Sequence, residues 1–238
     1  MSIIDKRVRF ISDNSSIIRI KICGVTRKDD IRTCARLGVN AVGFLLQKKP
    51  DISCVTSDRV PLNIAKELAD EACINKIASV ILIKTTDLNE IDHIIETVNP
   101  TSIQLQEKSM NVELISSLRE KHKELEIIRT FYISHDTSVE ENLFEISEIS
   151  EYVDSILLDS KKGGCGKTHD WSISKEIRDS IKGPNVILAG GLNPDNIEYA
   201  IRAVKPDAID VMTGSTSEVK GVKDPKKIAR LVNSCQPL

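Results

Sequence analysis

One pattern recurs along this chain and narrows what it can fold into. A short, mostly apolar run is followed by a longer segment with apolar residues at helical spacing, eight times between Arg19 and about Asn233. The apolar runs are Arg19–Cys23, Ala41–Leu46, Ala78–Ile83, Ser102–Gln106, Leu125–Ile133, Val153–Leu158, Val186–Ala189 and Ala208–Val211. Several have no polar face, as expected of strands buried on both sides of a parallel sheet. The intervening helices are bounded by ordinary stop and start signals. Gly38 ends the first, Pro61 opens the second, Pro194 opens the seventh and Pro225 the last. Eight strand–helix units in 238 residues predict a single-domain (β/α)₈ barrel, a TIM barrel, over 19–238. A doubly wound open sheet is the alternative. It needs no eighth strand and usually carries G-x-G-x-x-G after the first, where this chain has Cys23-Gly24-Val25-Thr26-Arg27.

Residues 1–18 precede the first unit as a short N-terminal arm. Val8–Ile11 reads as a short strand and Ser12–Ser16 as a turn-rich spacer. The arm could plug the barrel floor, join a dimer contact or stay mobile, and the sequence does not choose.

Composition excludes several function classes. The chain is 40% hydrophobic and 29% charged, with net charge −2 and 3% aromatics. That balance gives no basic field and no stacking platform for nucleic acid. Charge interrupts the N-terminus before any signal-like apolar core forms, and no apolar run is long enough to span a bilayer. A cytoplasmic protein with no membrane or nucleic-acid partner is expected, as monomer or homodimer. The six cysteines form no C-x-x-C pair, so a zinc or dithiol site is not expected. Cys34 and Cys73 lie in helical patterns among apolar residues and read as small core residues.

In a barrel of this kind, chemistry belongs at the C-terminal ends of the strands, with a phosphate site after the last two. Cys23 ends the first strand, beside Lys21 and just before a helix, a setting that favours a thiolate. Asp159 ends the sixth after two leucines and is either a candidate general acid, its pKa raised by partial burial, or a carboxylate paired with Lys161 or capping the loop. Asp210 in the eighth strand either faces a substrate or is a paired interior charge. Gly190 and Gly191 follow the seventh strand, with Asn193 placed to cap the next helix, and Thr213 and Gly214 follow the eighth. Both turns can aim backbone amides at an anion. The run Lys161–Thr168 is not a P-loop, because Lys161 stands where G-x-x-x-x-G-K-[ST] needs its first glycine. Two readings remain there: a loop closing over the site with Lys167 near a phosphate, or a solvated lysine cluster.

The motifs, in order, are Lys21-Ile22-Cys23-Gly24-Val25-Thr26, Ala41-Val42-Gly43-Phe44, Ile103-Gln104-Leu105, Leu157-Leu158-Asp159-Ser160, Gly164 to Trp171, Ile187 to Asn196, Asp210-Val211 with Gly214, and Gly221-Val222-Lys223-Asp224. Together they resemble the phosphoribosylanthranilate isomerase family of tryptophan biosynthesis. The resemblance implies an aldose–ketose isomerisation, the Amadori rearrangement of an N-ribosyl aromatic amine phosphate, with no cofactor or metal. It implies Cys23 as general base and Asp159 as general acid. Lys21, Arg59 and Asp210 would bind the substrate, and Gly166, Lys167, Gly190, Gly191, Thr213 and Gly214 its phosphate.

Three departures from the family pattern stand out. Gln106 replaces the histidine after the fourth strand. The loop from Gln47 to Val60 is longer than the family's, and Arg59 is slid onto the role of its carboxylate-binding arginine, with Lys48 or Lys49 as substitutes. The acidic residue usual after the eighth strand is missing from Met212–Thr216. A non-catalytic barrel that binds a sugar phosphate, or one re-purposed for another phosphoribosylamine, is the alternative function.

Overall fold

The structure is a computed structural model that describes residues 8–11, 17–47, 58–134, 138–160, 168–219 and 221–236. Eight parallel strands close on themselves. They are β1 (Arg19–Cys23), β2 (Ala41–Leu46), β4 (Ala78–Ile83), β5 (Ser102–Leu105), β6 (Glu126–Ile133), β7 (Ser155–Ser160), β8 (Asn185–Leu188) and β9 (Ala208–Val211). Closure comes from β1, which pairs with β2 on one side and β9 on the other. A two-residue strand, β3 (Arg59–Val60), adds to the upper end of β2 opposite Leu45 and Leu46. The sequence pattern gives no sign of it, since two residues show no periodicity.

Around the sheet run α1 (Lys28–Arg36), α2 (Leu62–Ile74), α3 (Leu88–Val98), α4 (Val112–Lys121), α5 (Val139–Ile149), α6 (Trp171–Ser180), α7 (Ile197–Val204) and α8 (Pro225–Ser234). Several start on side-chain caps: Asp87, Asn111, Ser138, Asp170 and Asp224 each accept a backbone N–H of the first turn. Such a cap contributes about 1 kcal/mol. The seventh helix begins at Ile197, three residues later than the proline suggests. Asn193 does not cap it. Its side chain accepts from Asp195 N, and Asn196 Oδ1 accepts from Asn193 N, so a tight turn uses up Gly191–Asn196 before the helix can start.

Two apolar layers result from strand alternation. Outward residues such as Ile20, Ile22, Ile103, Ile156 and Leu158 pack beneath the helices. Cys34 joins this layer, but Cys73 is exposed, because α2 turns its position away from the sheet. Inward residues form a smaller cluster at the floor, where Ala41, Ala78 and Ala208 leave room at the axis. Phe10 fills that room and is fully buried. Burying such a ring contributes about 1.5–3 kcal/mol. Val8–Ile11 is not a strand. Instead, Phe10 N and Ile11 N donate to the Glu126 carboxylate at 3.0 and 3.1 Å, so their hydrogen bonds go to a side chain and not to a neighbouring strand.

Candidate active site

Above the floor the barrel interior turns polar. Ile20 and Ile22 face the helices, so the period of two sends Lys21 and Cys23 inward on β1. Asp210 is the register partner of Lys21 on β9, and Gly43 on β2 is that of Cys23. Lys21 is fully buried. Its Nζ donates to Asp210 Oδ2 at 2.7 Å and to Gln104 Oε1 at 2.9 Å, and Gln104 Nε2 donates on to Thr130 Oγ1 at 3.2 Å. Burial works against the charge of Lys21, but Asp210 and Cys23 outweigh it and hold its pKa above the ordinary lysine value. Gly43 is what makes space for this pair. A Cβ there would stand 2.9 Å from Cys23 Sγ and 3.1 Å from Lys21 Cε.

A cavity of about 380 Å³ opens over this network. Among the residues lining it are Cys23, Arg59, Asp159, Asp210, Gly190, Gly191 and Thr213, from five different strand ends or the turns after them. Asp159 sits on β7 above the inward Leu157. Burial, then the negative charge of Asp210, push its carboxyl up to about 6, although Ser160 N donates to its Oδ1 at 2.8 Å. Asp210 is both things the sequence left open: it is paired with Lys21, and it lines the cavity. Its Oδ1 and the hydroxyl of Ser160 are buried with no hydrogen-bond partner among the described residues.

The thiol differs from expectation. Lys21 and Lys223 favour the thiolate, as does the Gly24 N–H, but Cys23 is so deeply buried that loss of water, helped by Asp210, pushes it up to about 11. A cation next door does not replace full hydration. The resting pair therefore has its proton on sulfur more readily than on Asp159.

The two glycine turns meet at one end of the cavity. A Cβ on Gly214 would lie 2.1 Å from Leu192 O and 2.7 Å from Asn193 Cα, so glycine is needed for the turns after β8 and β9 to stack. At the other end the wall becomes apolar and cationic. A second cavity of about 450 Å³ shares Leu45, Arg59, Leu82 and Lys84 with the first and extends toward Leu62 and Ile94. Arg59 is held beside it by β3, its Nη1 donating to Leu46 O at 3.3 Å.

Gly166, Lys167, Lys48 and Lys49 lie outside the described residues, as does most of the expected closing loop. Sequence reasoning assigned no role to Lys84, Gln104 or Tyr132, which also line the main cavity. Lys84 directly follows β4, and the strand-end rule that found Asp159 would have found it too.

Comparisons with known proteins agree with one another. A family model described as N-(5′-phosphoribosyl)anthranilate isomerase matches residues 20–234. The enzyme of that name from Methanocella arvoryzae is 33% identical over 217 residues, covering 90% of this chain and 94% of its own. The phosphoribosyl anthranilate isomerase of Thermotoga maritima superposes with a TM-score of 0.76 at 26% identity, covering 92% of this chain and 98% of that one. A further solved isomerase, in complex with reduced 1-(O-carboxyphenylamino)-1-deoxyribulose 5-phosphate, gives a TM-score of 0.75 at 26% identity with the same coverage. The chain belongs to the N-(5′-phosphoribosyl)anthranilate isomerase family.

Proposed function

We propose that this protein is an N-(5′-phosphoribosyl)anthranilate isomerase acting in tryptophan biosynthesis, with Cys23 as base and Asp159 as acid. The observation that carries the site assignment is the cavity itself. A thiol and a carboxylic acid line it between two stacked glycine turns and a wall of leucines with cations. A substrate with a phosphate at one end and an aromatic acid at the other matches that polarity.

The steps conserve every proton. Asp159, as the acid, gives its proton to the ribose ring oxygen. The C1′–O bond breaks, and the amine nitrogen lone pair forms the C=N bond of a Schiff base. Cys23, as thiolate, takes the proton from C2′, and the electron pair of that C–H bond becomes the double bond of an enolamine. Tautomerisation of the enolamine gives the aminoketose. The enzyme is left with a carboxylate and a thiol, the protonation that the surroundings of the two groups favour. One proton must return from sulfur to Asp159 through solvent before the next turnover. Lys21 and Lys223 face the thiolate when it forms and reduce its cost.

The backbone of Gly190, Gly191, Thr213 and Gly214 holds the phosphate in this reading. Asp210, steadied by Lys21, offers Oδ1 to a ribose hydroxyl. Arg59 and Lys84 meet the carboxylate, while Leu45 and Leu82 face the ring. The location is cytoplasmic, as for a biosynthetic enzyme of small metabolites.

The test is turnover of freshly generated phosphoribosylanthranilate, followed by loss of its fluorescence, with Asp159→Asn as control. Rapid turnover lost in the variant is the expected result. Absence of turnover by the wild type, together with heat protection by a phosphorylated ketose, would instead mark a barrel that takes another phosphoribosylamine.

A further inference from the structure

One buried cation makes no bond in the steps above. Lys223 lies in the turn between β9 and α8 and is 4% exposed. Its Nζ donates to Cys23 O at 2.5 Å, to Met212 O and Ser215 Oγ at 3.3 Å each, and reaches Thr216 Oγ1 at 3.5 Å. All four acceptors are neutral. None of the ion pairs among the described residues includes this ammonium. The nearby Asp30 carboxylate accepts from the backbone N–H of Lys223 at 3.3 Å, not from Nζ.

A brace between two segments needs only hydrogen bonds, and a neutral side chain gives those at far lower desolvation cost than a buried ammonium. A lysine kept at this position points to a use for its charge. The four oxygens lie on two segments only: the end of β1, where Cys23 stands, and the Met212–Thr216 turn that contains Thr213 and Gly214. The same turn is fixed from outside. Thr216 and Lys223 form an antiparallel bridge, and Thr26 Oγ1 donates to Gly221 O at 2.9 Å.

We propose that Lys223 is a positioning residue for the isomerase reaction: its buried ammonium clamps the Cys23 end of β1 to the Thr213–Gly214 turn and sets positive charge behind both the thiol and the phosphate. The proposal rests on the assignment of Cys23 and of that turn made above. The charged and titratable groups facing Cys23 and Lys223 are Lys21 on β1, Asp210 on β9, and Asp30 and Cys34 on α1. Burial lowers the pKa of Lys223, and Cys23, Cys34, Asp210 and Asp30 oppose that shift.

The experiment uses the full chain with Lys223→Met and Lys223→Gln. Four quantities are read: the melting temperature, the pH midpoint of Cys23 alkylation by iodoacetamide, located by mass spectrometry, protection of Cys23 by inorganic phosphate, and kcat. The expected result is a midpoint moved to higher pH in both variants, with about tenfold more phosphate needed for protection and a kcat lowered about tenfold or more. Gln can still donate hydrogen bonds, so it should recover most of the melting temperature without recovering the midpoint or the phosphate response. It carries the test should the Met variant not fold. A folded variant with the wild-type midpoint and wild-type phosphate protection would overturn the proposal, leaving Lys223 a brace only. Alkylation and phosphate protection need no turnover, so they report on Lys223 even if Cys23→Ala keeps its activity and the base assignment fails.

Discussion

The floor and the mouth of this barrel each bury carboxylates on inward strand positions, and they treat them differently. At the floor, Glu126 accepts from Phe10 N and Ile11 N and, at 2.6 Å, from Ser102 Oγ, so both oxygens are used. At the mouth, Asp210 uses Oδ2 on Lys21 and leaves Oδ1 with no partner among the described residues. Burial raises the pKa of Glu126 as it does that of Asp159. A shifted pKa therefore does not tell the two ends apart. The use of their oxygens does: buried polar groups cost free energy unless hydrogen-bonded, so a buried carboxylate oxygen left open over a cavity marks where a ligand can complete the set. The carboxylate at the floor is satisfied by the chain itself, while the one at the mouth keeps an oxygen open to a ligand.

Four variants test that division. Asp159→Asn should lower kcat about 10³-fold with the melting temperature nearly unchanged, since it removes an acid and no packing. A loss below tenfold in single-turnover assays would take Asp159 out of the acid role. Phe10→Ala should do the reverse, costing about 3 kcal/mol of stability in urea unfolding while kcat/KM stays within roughly threefold. A large kinetic defect there would show that floor and mouth are coupled. Gly43→Ala should lower kcat/KM about tenfold, because the new methyl displaces Cys23 Sγ and Lys21 from the positions they now hold. Unaltered kinetics in that variant would mean the thiol's position is not critical.

The smallest effect concerns pH. With the proposed roles, the active form needs thiolate and carboxylic acid together, the reverse of the resting protonation. Below about 6, Asp159 is fully protonated and each unit of acid removes thiolate, so kcat/KM falls. Between about 6 and about 11, gain of thiolate offsets loss of acid and the profile is flat. Above that, loss of acid alone remains and the rate falls again. Asp210→Asn removes the negative charge that helps raise Asp159, so the acid limb should move to lower pH. Lys21, Tyr132 and the Ser160 N–H also face Asp159 and stay in place in that variant. A stationary limb would show that another group sets it.

Much of the barrel was readable because its signals are local. Strand period, helix-bounding glycine and proline, and chain length together require eight units, and position at a strand end is enough to select Cys23, Asp159, Asp210 and the two glycine turns. The cap of α7 and the exposure of Cys73 were misread, because each depends on which way a turn or helix face is rotated, and propensity does not encode that.

What the sequence by itself determined is which side chains enter the barrel, since alternation along a strand is a property of the backbone. Tertiary structure alone decided what those side chains cost each other. Lys21 beside Cys23 suggests an easy thiolate in one dimension, but in three the thiol sits out of water against Asp210, and burial prevails. Lys223 is 200 residues from Cys23 along the chain and 2.5 Å from its carbonyl oxygen. Phe10 reads as part of a strand until three distant alanines leave a hole at the axis of the floor. Burial, charge and fit are sums over neighbours, and the neighbours exist only once the sheet has closed.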